Sequence, residues 1–261
     1  MSLLTYALPF VQSLAGNDVS LAGSRLHIPG PLPIRVSTVL GNRRIHRLLD
    51  RLLRPGQTVV DVGANIGVNT VYAATRVGPT GQVIAVEPAG DNLDVLRRNV
   101  AMNQLGNVQV AALAAGRTRE TREFFLRGDV SAVNSFYAES IYAEVTGVVR
   151  VPVEPLDDLV PGDADVVKID VEGAELDVLA GMPRLLRSPR IGLVVEWHPL
   201  LQEKAGVDPE ALPRTLLAEG FALLGASHTR LVPVTTATIP ALVASLRQAG
   251  RPIDLLATRL R

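Results

Sequence analysis

Residues 59–67 constrain the fold of this 261-residue chain more than any other part of its sequence. They read VVDVGANIG, a short apolar run that passes into a loop bounded by two glycines. Apolar residues on both faces predict an inner strand of a parallel sheet over Thr58–Val62. Gly63 and Gly67 lack a Cβ, so the loop can turn sharply and let a ligand approach the main chain. Because a helical pattern resumes near Asn69, the segment predicts the strand, loop and helix of an α/β protein.

The spacing of the two glycines distinguishes two classes of ligand. A dinucleotide-binding loop has the pattern GxGxxG, but Asn65 stands where the middle glycine would be. Asp61 precedes the loop, and Glu87 closes the next predicted strand 20 residues after Gly67. A carboxylate at Glu87 can accept hydrogen bonds from both ribose hydroxyls, and Asp61 can offset the charge of an amino or sulfonium group. The two acids and the GxxxG loop therefore predict S-adenosylmethionine as the ligand.

The same residues also have a purely structural interpretation. Asp61 can bind loop amides as an acid at the end of a strand. Glu87, which is followed by Pro88, can complement the dipole of a helix that starts near Asp91. The side-chain amide of Asn65 can brace the loop instead of contacting a ligand. The sequence leaves both interpretations open.

Five short segments follow one another in a recognisable order. They are DVGANIGVNT (61–70), VEP (86–88), LDDL (156–159), KIDVEGAE (168–175) and VEWHP (195–199). In this order they resemble the FkbM family of S-adenosylmethionine-dependent methyltransferases, and KIDVEGAE after a strand is the most specific of them. The resemblance implies an α/β, Rossmann-like class I methyltransferase fold, with a mostly parallel sheet and helices on both faces. It also implies a hydroxyl of a natural product or sugar as the methyl acceptor.

The expected cofactor contacts lie in the glycine loop and at the ends of neighbouring strands. They are Asp61, Gly63, Asn65, Gly67, Asn69, Glu87, Pro88 and Asp170. Asp61, Glu87, Asp170 and Glu196 all fall at the carboxyl ends of predicted strands. Ligands of open parallel sheets bind beyond those ends, so we expect the four acids to converge on one crevice.

Predicted strands and helices alternate after about residue 45. The strands are 58–62, 82–86, 108–112, 165–169, 191–196, 221–224 and 254–260, and the helices are 43–53, 91–104, 174–179 and 209–219. Short alternating runs at about 122–153 predict an inserted hairpin or lid. We expect a methyltransferase domain at 46–261 and an N-terminal substrate-side extension or lid at 1–45.

Methyl transfer to an alcohol requires orientation of the reacting groups and removal of the hydroxyl proton. His198 is the first candidate for the base, since an ordinary histidine accepts a proton near neutral pH. It can equally be a core or loop histidine. The resemblance places Asp170 and Glu172 beside the methyl group and acceptor, where either can orient the hydroxyl or act as base. The alternative for Glu172 is an acid that complements a helix N-terminus.

A divalent cation is a further alternative. Asp170 with Glu196 or His198 can bind Mg²⁺ through oxygen ligands and water. The motif segments contain no dense cluster of histidines and carboxylates, so we expect no metal site and catalysis without a cation. Trp197 is expected to pack in the core and not to stack on adenine.

Composition limits the partners and the location of the protein. The chain has 26 basic and 26 acidic residues and no basic run with interleaved aromatics, which argues against nucleic acid. It contains no cysteine, and no stretch of about 18 apolar residues could span a bilayer. The apolar N-terminus lacks a basic start and is interrupted by Pro9, unlike a signal peptide. We expect a cytoplasmic enzyme with no membrane partner. Its arginine-rich composition indicates a bacterial source, and a homodimer is compatible with the sequence.

Two other functions are compatible with a similar sheet. The first is an NAD(P)-dependent oxidoreductase, which the missing GxGxxG pattern and the lack of a Tyr-x-x-x-Lys pair disfavour. The second is a non-catalytic module that binds a nucleoside. The intact acids at 61 and 87 and the KIDVEGAE segment favour an active enzyme over this module.

Overall fold

The computed structural model describes residues 11–15, 17–21, 23–128, 133–139, 141, 143–226 and 230–259. Parts of the predicted N-terminal extension (1–10, 16 and 22) and of the predicted insertion (129–132, 140 and 142) therefore lie outside the described residues. The chain forms two compact units, Met1–Ala112 and Leu113–Arg261.

The first unit contains three parallel strands and a small antiparallel sheet. Its elements are β1 (Val11–Ala15), β2 (Asp18–Leu21), β3 (Ser24–His27), α1 (Leu32–Leu52), β4 (Thr58–Val62), α2 (Val68–Val77), β5 (Gln82–Val86), α3 (Gly90–Met102) and β6 (Val108–Ala111). The strands β4, β5 and β6 pair in parallel in that order, and β1, β2 and β3 form the antiparallel sheet. β4 and β5 are buried from their second residue on, as is typical of parallel strands covered by helices, whereas β6 is only partly buried.

Helix α1 begins earlier than the sequence predicted. Its second half carries buried Ile45, Leu48 and Leu49 at helical spacing, as expected for the predicted helix 43–53. Its first turn contains Leu32 and Ile34, which are exposed. The apolar spacing therefore gives no signal there, and prolines at the start of the helix read as a loop although they are tolerated in a first turn.

The second unit contains the remaining strands. Its elements are β7 (Ala114–Ala115), β8 (Glu120–Leu126), β9 (Gly147–Glu154), α4 (Leu156–Leu159), β10 (Val166–Ile169), α5 (Glu175–Ala180), α6 (Pro183–Leu186), β11 (Gly192–Trp197), α7 (Pro199–Lys204), α8 (Ala211–Ala218), β12 (Phe221–Ala226), β13 (Leu231–Val234), α9 (Ile239–Ala249) and β14 (Ile253–Arg259). β10 and β11 are parallel, whereas β14, β12 and β13 continue the sheet in antiparallel pairs.

Most of the predicted order is confirmed. The α/β class with a mostly parallel sheet is present, and β4 and β5 have the predicted bounds. The hairpin predicted at 122–153 is confirmed in its strands, because β8 pairs antiparallel with β9 from Glu120↔Val153 to Leu126↔Gly147. The sequence analysis did not predict β1, β2, β3, β7, α6, α7, β13 or α9. No helix in the described part of the chain combines the length and apolar character needed to cross a bilayer.

Candidate active site

The glycine loop, residues 63–67, connects β4 to α2 through three left-handed residues. Gly63 has φ +72°, Asn65 has φ +50° and Gly67 has φ +86°. Gly67 is also the N-cap of α2, and a Cβ there would collide with the side chain of Leu96 in α3. Both the backbone conformation and the close packing therefore require glycine at position 67.

All five backbone N–H groups of the glycine loop are used inside the first unit. Gly63 and Ala64 both donate to the carbonyl of Val86 at 3.0 Å, and Gly67 donates to Ala64 at 2.8 Å. Asn65 donates to Glu87 Oε2 at 2.9 Å, and Ile66 donates to Asn65 Oδ1 at 2.5 Å. A phosphate-binding loop directs such groups outward at its ligand. The loop is therefore not built as a phosphate cradle.

Glu87 connects the loop to the start of α3. The residue is 4% exposed, and its Oε1 accepts hydrogen bonds from Ala89 N at 3.0 Å and Asn92 Nδ2 at 3.1 Å. Its Oε2 accepts the bond from Asn65 N. The carboxylate thus has the structural role near the helix start that the sequence allowed, and it lies at the carboxyl end of β5, where a ribose contact was predicted.

Asp61 and Asn69 lie on the elements that flank the loop. Asp61 is buried, and its Oδ2 accepts a hydrogen bond from Thr70 Oγ1 at 2.6 Å. Asn69 is buried in the first turn of α2, and Pro88 is partly buried directly after β5. The first unit therefore holds seven of the eight predicted cofactor contacts on β4, the loop, α2 and the end of β5.

The donor set of this region fits S-adenosylmethionine. Carboxylates at the ends of two adjacent parallel strands suit ribose hydroxyls and a positively charged group. A loop whose N–H groups are already bonded suits a ligand without phosphate. Asp61, Glu87 and the loop main chain are the groups that would hold it.

The eighth predicted contact, Asp170, lies in the second unit, directly after β10. Its Oδ2 is 3.6 Å from the ammonium of Lys168, whose side chain is 4% exposed. The chain then turns through Glu172 at φ +54° and Gly173 at φ +104°. A left-handed glutamate is unusual outside functional or strained turns.

Glu175 fixes this turn from the first position of α5. The residue is 2% exposed, and its Oε1 accepts hydrogen bonds from Gly173 N at 3.0 Å and Val171 N at 3.4 Å. Burial raises the pKa of Glu175 to about 7, although those backbone bonds favour the charged form. Its protonation therefore changes near neutral pH.

Asp170, Glu172 and Glu196 form an acid cluster at the carboxyl ends of β10 and β11. Each offers a carboxylate oxygen within 4.8 Å of the others. Burial raises the pKa of Glu172 well above its usual range, and repulsion by Asp170 raises it further. Burial raises the pKa of Glu196, and repulsion by Asp170 raises it further. Asp254, which lies opposite Glu196 in the neighbouring strand β14, adds to this repulsion. The expectation that the motif segments contain no dense group of ligands was wrong, since the turn brings these carboxylates together.

A buried arginine holds the segment 133–139 beside this turn. Arg127 is 1% exposed, and its guanidinium donates to the carbonyls of Val133 at 2.9 Å and Tyr137 at 2.5 Å. The ring of Tyr137 lies 3.3 Å from where a Cβ of Gly173 would be. The charge of Arg127 lowers the pKa of Glu172 and so opposes the effect of its acidic neighbours. Segment 133–139 of the predicted lid is therefore fixed by hydrogen bonds and lies against the turn.

His198 lies outside the acid cluster. It is the N-cap of α7 and is 3% exposed, and burial lowers its pKa to about 4. Desolvation therefore moves the pKa of His198 below that of the ordinary histidine on which its choice as a candidate base depended. Trp197 is fully buried and donates from Nε1 to the carbonyl of Pro209 at 2.8 Å, which confirms its predicted packing role.

Comparison with known proteins identifies the family. The family described as "Methyltransferase FkbM domain" matches residues 61–223, more than half of the chain. The chain belongs to the FkbM methyltransferase family. It is an S-adenosylmethionine-dependent methyltransferase, as the glycine loop and its two acids predicted.

The relatives of this FkbM methyltransferase include enzymes of archaea and fungi. Hexuronic acid methyltransferase AglP of Haloferax volcanii is 29% identical over 186 residues, which cover 70% of this chain and 70% of that protein. Methyltransferase sdnD of Sordaria araneosa is 32% identical over 184 residues, covering 58% of this chain and 69% of the relative. A crystal structure from Clostridium thermocellum described as an rRNA methylase has a TM-score of 0.51 at 11% identity, covering 85% of this chain and 96% of that one. This last likeness shows the fold alone.

Sequence reasoning missed several residues that surround the acid cluster. Lys168 and Glu175 stand at the two ends of KIDVEGAE, so the motif itself contained a signal for them. Arg127 and Tyr137 lie in a part of the sequence without a motif, and only the folded segment shows their contact with the turn. Asp254 faces Glu196 through strand register, which the sequence did not reveal.

Proposed function

We propose that this protein methylates a hydroxyl group of a small molecule, a sugar or a natural product. The acid cluster carries the proposal, because a buried carboxylate with a raised pKa suits removal of a hydroxyl proton near neutral pH. The similarity to a hexuronic acid methyltransferase supports a sugar acid among the first acceptors to test.

The reaction would pass one methyl group from sulfur to oxygen. When bound, S-adenosylmethionine supplies an electrophilic methyl group on a sulfonium. The acceptor oxygen forms the new C–O bond, the C–S bond breaks, and the hydroxyl proton goes to a base. Alignment of these atoms accounts for much of the acceleration in reactions of this kind.

Glu172 is the base that the geometry favours, with Asp170 orienting the hydroxyl. Glu172 belongs to the acid cluster, and its backbone is held by the hydrogen bond between Gly173 N and Glu175. A base is most effective when its pKa lies near the working pH, and burial moves the pKa of Glu172 upward from its ordinary value. Asp170 beside the ammonium of Lys168 is suited to accept a hydrogen bond from the acceptor.

His198 is the second candidate for the base. It is uncharged at neutral pH because its pKa lies at about 4, so it can accept a proton there, although more weakly than an ordinary histidine. The two candidates differ in the pH at which they lose the ability to accept a proton, so a pH–rate profile separates them.

We also propose catalysis without a divalent cation, although the acid cluster has oxygen ligands of a kind that Mg²⁺ binds. Lys168 supplies a positive charge next to Asp170, and the raised pKa of Glu196 favours its neutral form. Both effects reduce the negative charge that a cation would otherwise balance. The cytoplasmic location, the homodimer and the absence of nucleic-acid and membrane partners stay predictions.

The oxidoreductase alternative is disfavoured by the loop as well as by the family. The N–H groups of residues 63–67 are bonded internally, so none of them is directed at a dinucleotide pyrophosphate. A non-catalytic nucleoside-binding module remains the alternative that an activity assay must test.

The test is an assay with S-adenosylmethionine and a panel of hydroxylated acceptors that includes hexuronic acids, neutral sugars and polyketide alcohols. We expect release of S-adenosylhomocysteine with at least one acceptor, and a product whose added methyl group is on oxygen by NMR. Methylation on nitrogen or carbon would contradict the proposed acceptor class. Tight cofactor binding without turnover on the panel would favour the non-catalytic module.

A further inference from the structure

Two asparagines, Asn99 of α3 and Asn103 at the C-cap of that helix, bind the main chain of the N-terminal hairpin, which we define as strands β2 and β3. His27 N donates to Asn99 Oδ1 at 2.5 Å, and Asn99 Nδ2 donates to His27 O at 3.0 Å. Asn103 forms the same pair of bonds with Arg25, at 2.8 and 2.5 Å. Four residues of helix rise about 6 Å and two residues of strand about 6.6 Å, so successive turns of α3 match alternate residues of β3.

Of these two asparagines, Asn99 also bonds to the glycine loop. Its side chain is fully buried, and Nδ2 donates a second hydrogen bond to the carbonyl of Ile66 at 2.7 Å. The second bond of Asn103 Nδ2 goes to the carbonyl of Asn99 within the same helix, at 2.7 Å. Asn99 therefore joins the hairpin to the loop, whereas Asn103 joins the hairpin to α3.

The hairpin and the loop also share an apolar core. Its members from the hairpin side are Val19, Leu21, Leu26 and Ile28, and those from the loop and α2 are Ile66, Val68 and Val71. The hydrogen bond from Asn99 and the apolar core therefore both fix Ile66 of the loop.

The carbonyl that Asn99 holds is at a sensitive point of the loop. Ile66 stands between Asn65 and Gly67, both of which have positive φ. Its carbonyl belongs to the peptide group that joins Ile66 to Gly67, so rotation of that group would change the φ of Gly67. A group that fixes this carbonyl therefore helps to hold Gly67 in its left-handed conformation, at the point where the loop enters α2.

We propose that Asn99 is a positioning residue for the cofactor, which holds the glycine loop in its binding shape and couples it to the N-terminal hairpin. The proposal rests on the assignment of this loop to S-adenosylmethionine, which the proposed function also uses. It gives the hairpin a role toward the cofactor, beyond the substrate-side role that the sequence predicted for residues 1–45.

The experiment compares Asn99→Ala with the matched variant Asn103→Ala in the full chain, with S-adenosylhomocysteine as the probe. Each variant loses its bonds to the hairpin, but only Asn99→Ala loses the bond to Ile66. By calorimetric titration we expect Asn99→Ala to raise the Kd about tenfold, the effect of one buried hydrogen bond, and Asn103→Ala to change it less than about twofold. Equal affinity of Asn99→Ala and wild type, or an equal loss in both variants, would overturn the proposal.

Amide hydrogen exchange of the wild-type chain tests the same coupling if Asn99→Ala does not fold. Because coupling between two sites is reciprocal, S-adenosylhomocysteine should slow exchange of the His27 amide and leave that of Arg25 unchanged. An unchanged His27 amide would overturn the proposal alone. Failure of the wild-type chain to bind S-adenosylhomocysteine would instead overturn the assignment of the loop, and the proposed function with it.

Discussion

The glycine loop contains a buried carboxylate and the acid cluster contains partly buried ones, and the two regions surround them with opposite kinds of neighbour. Glu87 accepts three hydrogen bonds from the loop and the start of α3. Glu172 and Glu196 lie beside other acids, which raise their pKa values beyond the effect of burial. Hydrogen-bond donors hold a carboxylate in place, whereas acidic neighbours favour its protonated form. The contrast is consistent with our proposal, in which the first region binds the cofactor and the second takes part in the reaction.

The largest test of this contrast is loss of the proposed base. Glu172→Gln keeps the size of the side chain but cannot accept the hydroxyl proton, so kcat should fall by about 10² to 10⁴ while the affinity for S-adenosylhomocysteine stays nearly constant. His198→Ala is the comparison variant and should retain most of the rate. The rate should be lost as the pH falls through a value above the ordinary range of a glutamate.

The opposite pattern would assign the base to His198. In that case His198→Ala would lower kcat by the same factor, Glu172→Gln would be nearly normal, and the rate would be lost only near pH 4.

Glu175→Gln tests whether the free energy of unfolding depends on protonation of Glu175, which holds the turn of the acid cluster. Because the folded pKa of Glu175 is about 7, above its unfolded value, its contribution to stability is fully present below about pH 4.5 and is lost as the pH rises through 7. Relative to wild type, Glu175→Gln should therefore gain about 3 kcal/mol of unfolding free energy between pH 4.5 and pH 8. Urea unfolding at both pH values measures this difference. A difference that does not change with pH would show that Glu175 ionises normally in the fold.

The two regions also differ in how well the sequence predicted them. The bounds of β4 and β5 were predicted correctly, because inner parallel strands need a continuous apolar run and end at glycine or proline. The acid cluster depends on a left-handed Glu172 and on the register of Glu196 with Asp254, neither of which leaves a local pattern. Strand β13 and helix α9 were missed because each contains a proline, at 233 and 240, that reads as a break.

A smaller effect is expected from loss of the bonded carboxylate in the loop. Glu87→Ala should weaken binding of S-adenosylhomocysteine by about 1 to 3 kcal/mol, since it removes a carboxylate predicted to bind the ribose and releases Asn65 N. Asp91→Ala is the control, because it removes an exposed acid from the first turn of α3. If both variants lost stability equally and neither lost affinity, the role of Glu87 would be only to stabilise the start of α3.

The smallest effect is expected from removal of divalent cations. We expect turnover after exhaustive EDTA treatment to stay within about twofold of the untreated rate, because Lys168 and the raised pKa of Glu196 both reduce the negative charge of the acid cluster. Loss of activity that Mg²⁺ restores would assign Asp170, Glu172 and Glu196 to a metal site. The carboxylates of the acid cluster would then also be held in place by a partner, as Glu87 is.

Thermal unfolding of the full chain with S-adenosylhomocysteine or with NADH tests the central claim most directly, namely that the loop binds a nucleoside cofactor without phosphate. A ligand that binds only the folded state raises the melting temperature in proportion to the logarithm of its concentration above Kd. We predict a rise with S-adenosylhomocysteine that grows with concentration, and no change with NADH at the same concentrations. A rise with NADH and none with S-adenosylhomocysteine would contradict the account.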